Sequence, residues 1–138
     1  MTCLLDTDIL LDVALNRAPH AEAAARLLDA LQRRPGTAFM AWHSASNFYY
    51  LVSSGRGKQD AMGFIRDLLA FVGIAPVGTR DLLHAVNLNM SDFEDAMQVA
   101  SAAACGAGYI VTRNLRHYRR SPIQALSPSE FLAKTAAR

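Results

Sequence analysis

The sequence predicts an α/β fold in which a parallel sheet is covered by helices on both faces, and three features carry that expectation. Short apolar runs alternate along the chain with longer segments of helical periodicity, the pattern of parallel β-α-β crossovers. The run Cys3-Leu4-Leu5 stops at Asp6 and passes at once into Thr7-Asp8-Ile9-Leu10-Leu11-Asp12. The clearest later strand, Tyr109-Ile110-Val111-Thr112, likewise ends in polar residues. Folds of this class open their ligand crevice at the carboxyl ends of the strands, so both junctions are candidate sites.

The elements follow in order. After the first strand, Asp8, Asp12 and Leu15 lie along a first helix. Over 19–34, Ala23, Leu27, Leu28 and Leu31 recur at helical spacing with Arg26, Asp29, Arg33 and Arg34 between them, which makes an amphipathic helix. Pro35-Gly36 stops it, and 37–41 supplies a short run suited to a buried second strand. A helix over 44–53 follows, Gly55-Arg56-Gly57-Lys58 breaks the pattern, and Ala61, Phe64, Ile65, Leu68, Leu69 and Val72 mark another helix ended by Gly73. The third strand is placed at 74–77, where Pro76 argues for an edge position. Thr79 or Asp81 starts a helix through Leu82, Leu83, Ala85 and Val86, and 87–91 reads as a turn. A helix over 92–105 ends at Gly106 and leads into the 109–112 strand; a weak strand around Ala125-Leu126 and a short helix from Ser127-Pro128-Ser129-Glu130 close the chain.

With 138 residues, 51% hydrophobic and 19% charged, the chain is expected to form one packed domain over 1–138. A net charge of +2 is compatible with an anionic partner but far below the footprint of a protein that coats DNA. Cys3 and Cys105 sit in apolar contexts and read as small buried hydrophobes of a reducing compartment. The amino terminus has no basic region, and no apolar stretch is long enough to span a bilayer, so the expected location is the cytoplasm.

Several residues suggest chemistry. Asp6 stands where a strand passes into a helix, a place that suits either a helix cap or a group facing substrate or metal. In Ser91-Asp92-Phe93-Glu94-Asp95-Ala96, Ser91 and Glu94 have the spacing of a capping box. Three acids in four positions nevertheless repel one another unless a cation lies nearby. Asp92 and Asp95, three apart, share a helix face, whereas Glu94 is expected to point elsewhere, into solvent. Asn47 is a polar residue at the start of an otherwise apolar helix, and Thr112-Arg113-Asn114 adds polar groups at a strand end. Arg113, Arg116, Arg119 and Arg120 form the densest basic run, with His117 and Tyr118 among them. That combination suits a single-stranded RNA backbone with a stacking aromatic, or equally a solvated turn.

Leu4-Leu5-Asp6-Thr7-Asp8-Ile9-Leu10-Leu11-Asp12, then Asn47, then Asp92-Phe93-Glu94-Asp95-Ala96, then Tyr109-Ile110-Val111-Thr112-Arg113-Asn114 together resemble the PIN domain across nearly the whole chain, and most of all its prokaryotic VapC-type toxins. The resemblance implies a three-layer α/β/α sandwich and a ribonuclease whose acids hold Mg²⁺ or Mn²⁺. Asp6 matches the first catalytic aspartate, and Asp95 matches the acid before the alanine on the later helix. Many active relatives carry glutamate where this chain has Asn47 and aspartate where it has Asn114. Some relatives sharing the Asp-Phe-Glu-Asp-Ala motif carry asparagines at both places and an acid where this chain has His117. The expected catalytic and metal-holding residues are therefore Asp6, Asp95 and Asp92, supported by Asn47, Thr112, Asn114 and His117, with Arg113, Arg116 and Arg119 on the RNA. Implied partners are an RNA substrate, a small antitoxin protein and a second copy in a homodimer. Two other readings stand beside this one: an inert PIN-like module that binds RNA or protein, and a phosphatase of the haloacid dehalogenase type suggested by Asp6-Thr7-Asp8. The second is disfavoured by the short chain and by Leu10, where a small polar or β-branched residue is usual.

Overall fold

The computed structural model describes residues 1–136. The expected 1–138 domain thus includes two residues that lie outside the described ones. Strands β1 (Cys3–Leu5), β2 (Ala38–Met40), β3 (Val72–Ile74), β4 (Tyr109–Val111) and β5 (Gln124–Leu126) form one sheet in the order β3-β2-β1-β4-β5. Every pairing is parallel. Helices α1 (Thr7–Ala14), α2 (Ala21–Gln32), α3 (Trp42–Arg56), α4 (Lys58–Leu68), α5 (Thr79–Asn87), α6 (Phe93–Ala104) and α7 (Pro128–Ala136) connect and flank the strands, and a short 3-10 helix spans Leu115–Tyr118.

The layers follow from strand alternation. Cys3 and Leu5 point to one face, where they meet Ile9 and Leu10 of α1, Leu27 and Leu31 of α2, Phe48 of α3, Leu68 of α4 and Phe131 of α7. Leu4 and Ile110 point to the other face, onto Val99 and Ala102 of α6 and onto Tyr118. Both faces are buried, which is why β1 reads as an uninterrupted apolar run. The result is the expected three-layer α/β/α sandwich.

The edge position of β3 agrees with the sequence expectation, but the strand lies earlier than 74–77. Gly73, read there as a helix stop, is a strand residue. A Cβ at Gly73 would stand 3.0 Å from the Phe39 ring, so glycine lets β2 and β3 pack past that side chain. The second helix buries Ala24, Leu27, Leu28 and Leu31, and the large exposed apolar side chains lie instead mainly on α3 and α5, among them Trp42, Tyr50, Leu82, Leu83 and Val86. No helix among the described residues is long and apolar enough to cross a membrane.

From β1 the chain moves outward through β2 and β3, then returns to the opposite side of β1 for β4 and β5. The direction therefore reverses between β1 and β4. Their carboxyl ends are the place where an open parallel sheet forms its crevice, and Asp6 and Thr112 are the residues that follow them.

Candidate active site

A crevice of about 610 Å³ opens at this reversal point, and five carboxylates line it: Asp6, Asp8, Asp92, Glu94 and Asp95. Asp6 is 9% exposed and caps α1, its Oδ1 accepting from the Thr7 amide at 2.8 Å. Capping and a place in the crevice thus coexist in one side chain. The same oxygen accepts from Gln98 Nε2 at 3.3 Å, and Oδ2 accepts from the Thr112 hydroxyl at 2.9 Å and the Tyr118 hydroxyl at 2.9 Å. Asp6 thereby receives four donors, one for each of its lone-pair positions.

Asp8 stands beside it with Oδ2 facing Thr112 Oγ1 at 3.1 Å, the Arg113 amide at 3.3 Å and Asn114 Nδ2 at 2.9 Å. Its Oδ1 is buried without a partner. Burial first, and the Asp6 charge second, push the Asp8 carboxyl up to about 7. The Thr112 hydroxyl has a single proton and cannot serve both aspartates. A proton on Asp8 resolves the conflict: Asp8 donates to Thr112, and Thr112 donates to Asp6.

A stability dependence on pH follows. An acid whose folded pKa is raised disfavours the charged fold, so its penalty is absent near pH 4 and grows as pH rises through the folded value. Asp8→Asn removes the charge and supplies the missing donor. In urea denaturation without divalent ions, the variant is expected to be more stable than the parent at pH 8, with the advantage shrinking by pH 5. An advantage unchanged between the two values would remove the repulsion from the account.

The acids of α6 are arranged by their cap. Asp92, not Ser91, is the N-cap residue, and its Oδ1 accepts from the Asp95 amide at 3.1 Å. Glu94 is exposed, as expected, but it does not point away from the site. Glu94 lines the crevice and accepts from Asn47 Nδ2 at 3.1 Å. Asn47 thus holds a carboxylate on the neighbouring helix. Asp95, only 14% exposed as a side chain, lies 3.4 Å from His117 Nδ1. Burial, followed by the Asp92 charge, raises Asp95 to about 6, while His117 opposes the rise.

Arg113 lines the same crevice, but its Nε is bound to Asp12 Oδ2 at 2.8 Å. Asp12 is fully buried and also pairs with Arg17 at 3.2 Å. A buried carboxylate needs such partners, so Arg113 braces β4 against α1. Arg116 and Arg119 line an adjoining groove with Arg120, and Asp92, Asp95 and His117 are common to groove and crevice.

The sequence reading passed over Gln98 and Tyr118 as partners of Asp6. Gln98 is fully buried and donates to Asp6, Thr7 and Ser44. Its only signal in the sequence is an amide on the apolar face of α6.

The PIN domain family model matches residues 2–116. The chain belongs to the PIN domain family. No curated protein matches it by sequence, but solved structures share the fold. The VapBC2 complex of Rickettsia felis bound to a promoter DNA fragment aligns with TM-score 0.72 and 18% identity, over 92% of this chain and 98% of that one. A toxin–antitoxin complex from Klebsiella pneumoniae gives 0.69 and 20%, over 92% and 98%. VapC20 of Mycobacterium tuberculosis, a sarcin-ricin loop cleaving toxin, gives 0.65 and 16%, over 79% and 87%. This PIN domain therefore has the family's sandwich, and the dehalogenase-type reading of Asp6-Thr7-Asp8 falls with the assignment.

The donor set of this PIN domain suits a hard divalent cation. The acids and amides of the lining offer oxygens, with His117 beside them; one Asp8 oxygen is orphaned, and burial first, then a neighbouring carboxylate charge, raises both Asp8 and Asp95. Among the described residues, no three acid, histidine or cysteine side chains converge closely enough to hold an ion by themselves. The fit is therefore to an ion that keeps several waters, as Mg²⁺ does.

Proposed function

We propose that this PIN domain is a metal-dependent endoribonuclease that hydrolyses RNA phosphodiester bonds and acts as the toxin of a toxin–antitoxin pair. The observation that carries the reading is the crowding of five carboxylates at the sheet's reversal point, where the lining arginines Arg17 and Arg113 are bound to the buried Asp12 and His117 faces Asp95. Asp6 and Asp95, with Asp92, are the residues that hold Mg²⁺ or Mn²⁺. Such an ion supplies positive charge to the phosphate oxygens and makes a nearby water more acidic.

The chain's own groups do the rest. Thr112, Gln98 and Tyr118 hold Asp6 oriented. Asp92 accepts a hydrogen bond from the attacking water, and His117 protonates the leaving oxygen or contacts the phosphate. Arg116 and Arg119 bind the RNA backbone along the groove beside the crevice. A small antitoxin covers the apolar side chains exposed on this domain, which also suit a homodimer, and the pair resides in the cytoplasm. Support comes from the family model and from structural neighbours that are toxin–antitoxin complexes or an RNA-cleaving toxin.

An inert RNA- or protein-binding module remains the second reading, favoured by the four donors that already occupy Asp6. Calorimetric titration with Mn²⁺ separates the two. The nuclease reading expects saturable binding that is lost in Asp6→Asn; no binding by the folded parent would favour the inert module. For the groove, Arg119→Ala should weaken single-stranded RNA binding across sequences and reduce the slope of log affinity against log salt by about 0.7. Fluorescence anisotropy at several salt concentrations measures this, and an unchanged slope would take Arg119 off the backbone.

A further inference from the structure

Asp12 is fully buried on α1 and holds two arginines from distant parts of the chain. Its Oδ1 pairs with Arg17 Nε at 3.2 Å, and its Oδ2 accepts from Arg113 Nε at 2.8 Å. Arg17 is fixed at a second point. Asn16 takes a left-handed φ of 49°, which asparagine tolerates, and the turn brings the Arg17 amide back to the Asp12 carbonyl at 2.9 Å. Both guanidinium groups are thus held by the inner nitrogen, with their two Nη nitrogens beyond it. Among the described residues nothing hydrogen-bonds to the Nη nitrogens of either arginine, and none of them is sealed from solvent. Both residues line the crevice. One carboxylate between two guanidinium groups leaves a single net positive charge there. A buried ionic cluster of this kind adds little stability over an apolar replacement, so bracing alone does not account for it.

We propose that Arg17 and Arg113 form a phosphate-binding fork, held from behind by the buried Asp12, that seats a backbone phosphate of single-stranded RNA in the crevice beside the carboxylates. The inference rests on the reading of this domain as one that acts on RNA. Guanidinium groups present paired N–H donors that match phosphate oxygens, and a phosphate has oxygens enough to accept from both arginines. Asp12 orients them before RNA arrives, which lowers the entropy cost of binding. The fork also answers an electrostatic problem. Five carboxylates line the crevice and repel a polyanion, and a net cationic group among them offsets that repulsion for the phosphate it touches. Arg116, Arg119 and Arg120 line the adjoining groove, which shares Asp92, Asp95 and His117 with the crevice. A strand crossing those shared acids therefore meets arginines in both cavities.

The test uses the full chain and a fluorescein-labelled single-stranded RNA in EDTA at low salt, so that metal-dependent cleavage does not consume the probe. Arg17→Gln removes the charge and keeps an N–H donor for Asp12. Anisotropy titrations should show affinity reduced about 10-fold or more. The slope of log affinity against log salt should become shallower by about 0.7, the share of one phosphate contact on a single strand. Arg17→Lys covers a glutamine variant that fails to fold: its ammonium neutralises Asp12 but has no second nitrogen for phosphate, so the same losses are expected. A folded variant with the parent's affinity and slope overturns the fork and leaves the RNA reading standing. A parent that binds no RNA overturns that reading, and the fork with it. A second measurement needs no variant. The Nε protons of Arg17 and Arg113, held against Asp12, should give NMR resonances that both shift as the RNA is added, and resonances unmoved at saturation contradict the fork.

Discussion

Asp6→Asn is expected to abolish the proposed metal-dependent RNA cleavage, a loss of roughly 100-fold or more, and also to lower folding stability. The loss of activity follows from charge, since the amide has nearly the same shape and cannot supply the negative charge that a divalent ion requires. The stability cost follows from the hydrogen bonds. Asp6 accepts from Thr7, Gln98, Thr112 and Tyr118, and bonds to a charged acceptor contribute about 1.5–3 kcal/mol each. Asparagine keeps one acceptor oxygen, and the hydroxyls of Thr112 and Tyr118 can turn to accept from its new amide. The expected net cost is thus about 1–3 kcal/mol, read by urea denaturation beside a cleavage assay. Full activity in the folded variant would remove Asp6 from the chemistry.

Asp95→Asn should cost about 100-fold in cleavage, and Glu94→Gln about 10-fold or less. Both acids line the crevice, but they are held differently. Asp95 is largely buried, faces His117 and feels the charge of Asp6. Glu94 is exposed and bound to the neutral Asn47, so its carboxylate is screened by water. Glutamine at 94 can still accept from Asn47, which preserves the contact between α3 and α6. Rates measured at saturating Mn²⁺, with both variants checked for equal stability, decide the matter. Equal losses would mean that Glu94 shares the ion with Asp95.

The layers and the site's position were legible because they depend on local pattern. Cys3-Leu4-Leu5 followed by Asp6 is apolar on both faces and then abruptly charged, which marks a central strand and the place where it ends. The β3 boundary was not legible, because Gly73 is set by the Phe39 ring on the neighbouring strand, and nothing local to Gly73 records that ring. Glu94 was misdirected for a related reason: the group that meets it at the crevice, Asn47, lies on α3, far away in the chain. Arg113 reads as part of a basic run, yet its partner Asp12 lies on α1, far away in the chain. Tyr118 and Gln98 reach Asp6 across similar separations. Periodicity identifies which face of an element is buried, but it does not identify which polar groups meet there.

Cleavage of RNA by the purified chain, freed of any bound partner, tests the central claim most directly. End-labelled single-stranded RNA is incubated with the protein in Mn²⁺ and, separately, in EDTA, and the fragment ends are determined by mass spectrometry. The account predicts fragments in Mn²⁺ alone, without 2′,3′-cyclic phosphate ends, because the nucleophile is water and not the ribose hydroxyl. Cleavage that persists in EDTA, cyclic phosphate ends, or intact RNA in Mn²⁺ would contradict it.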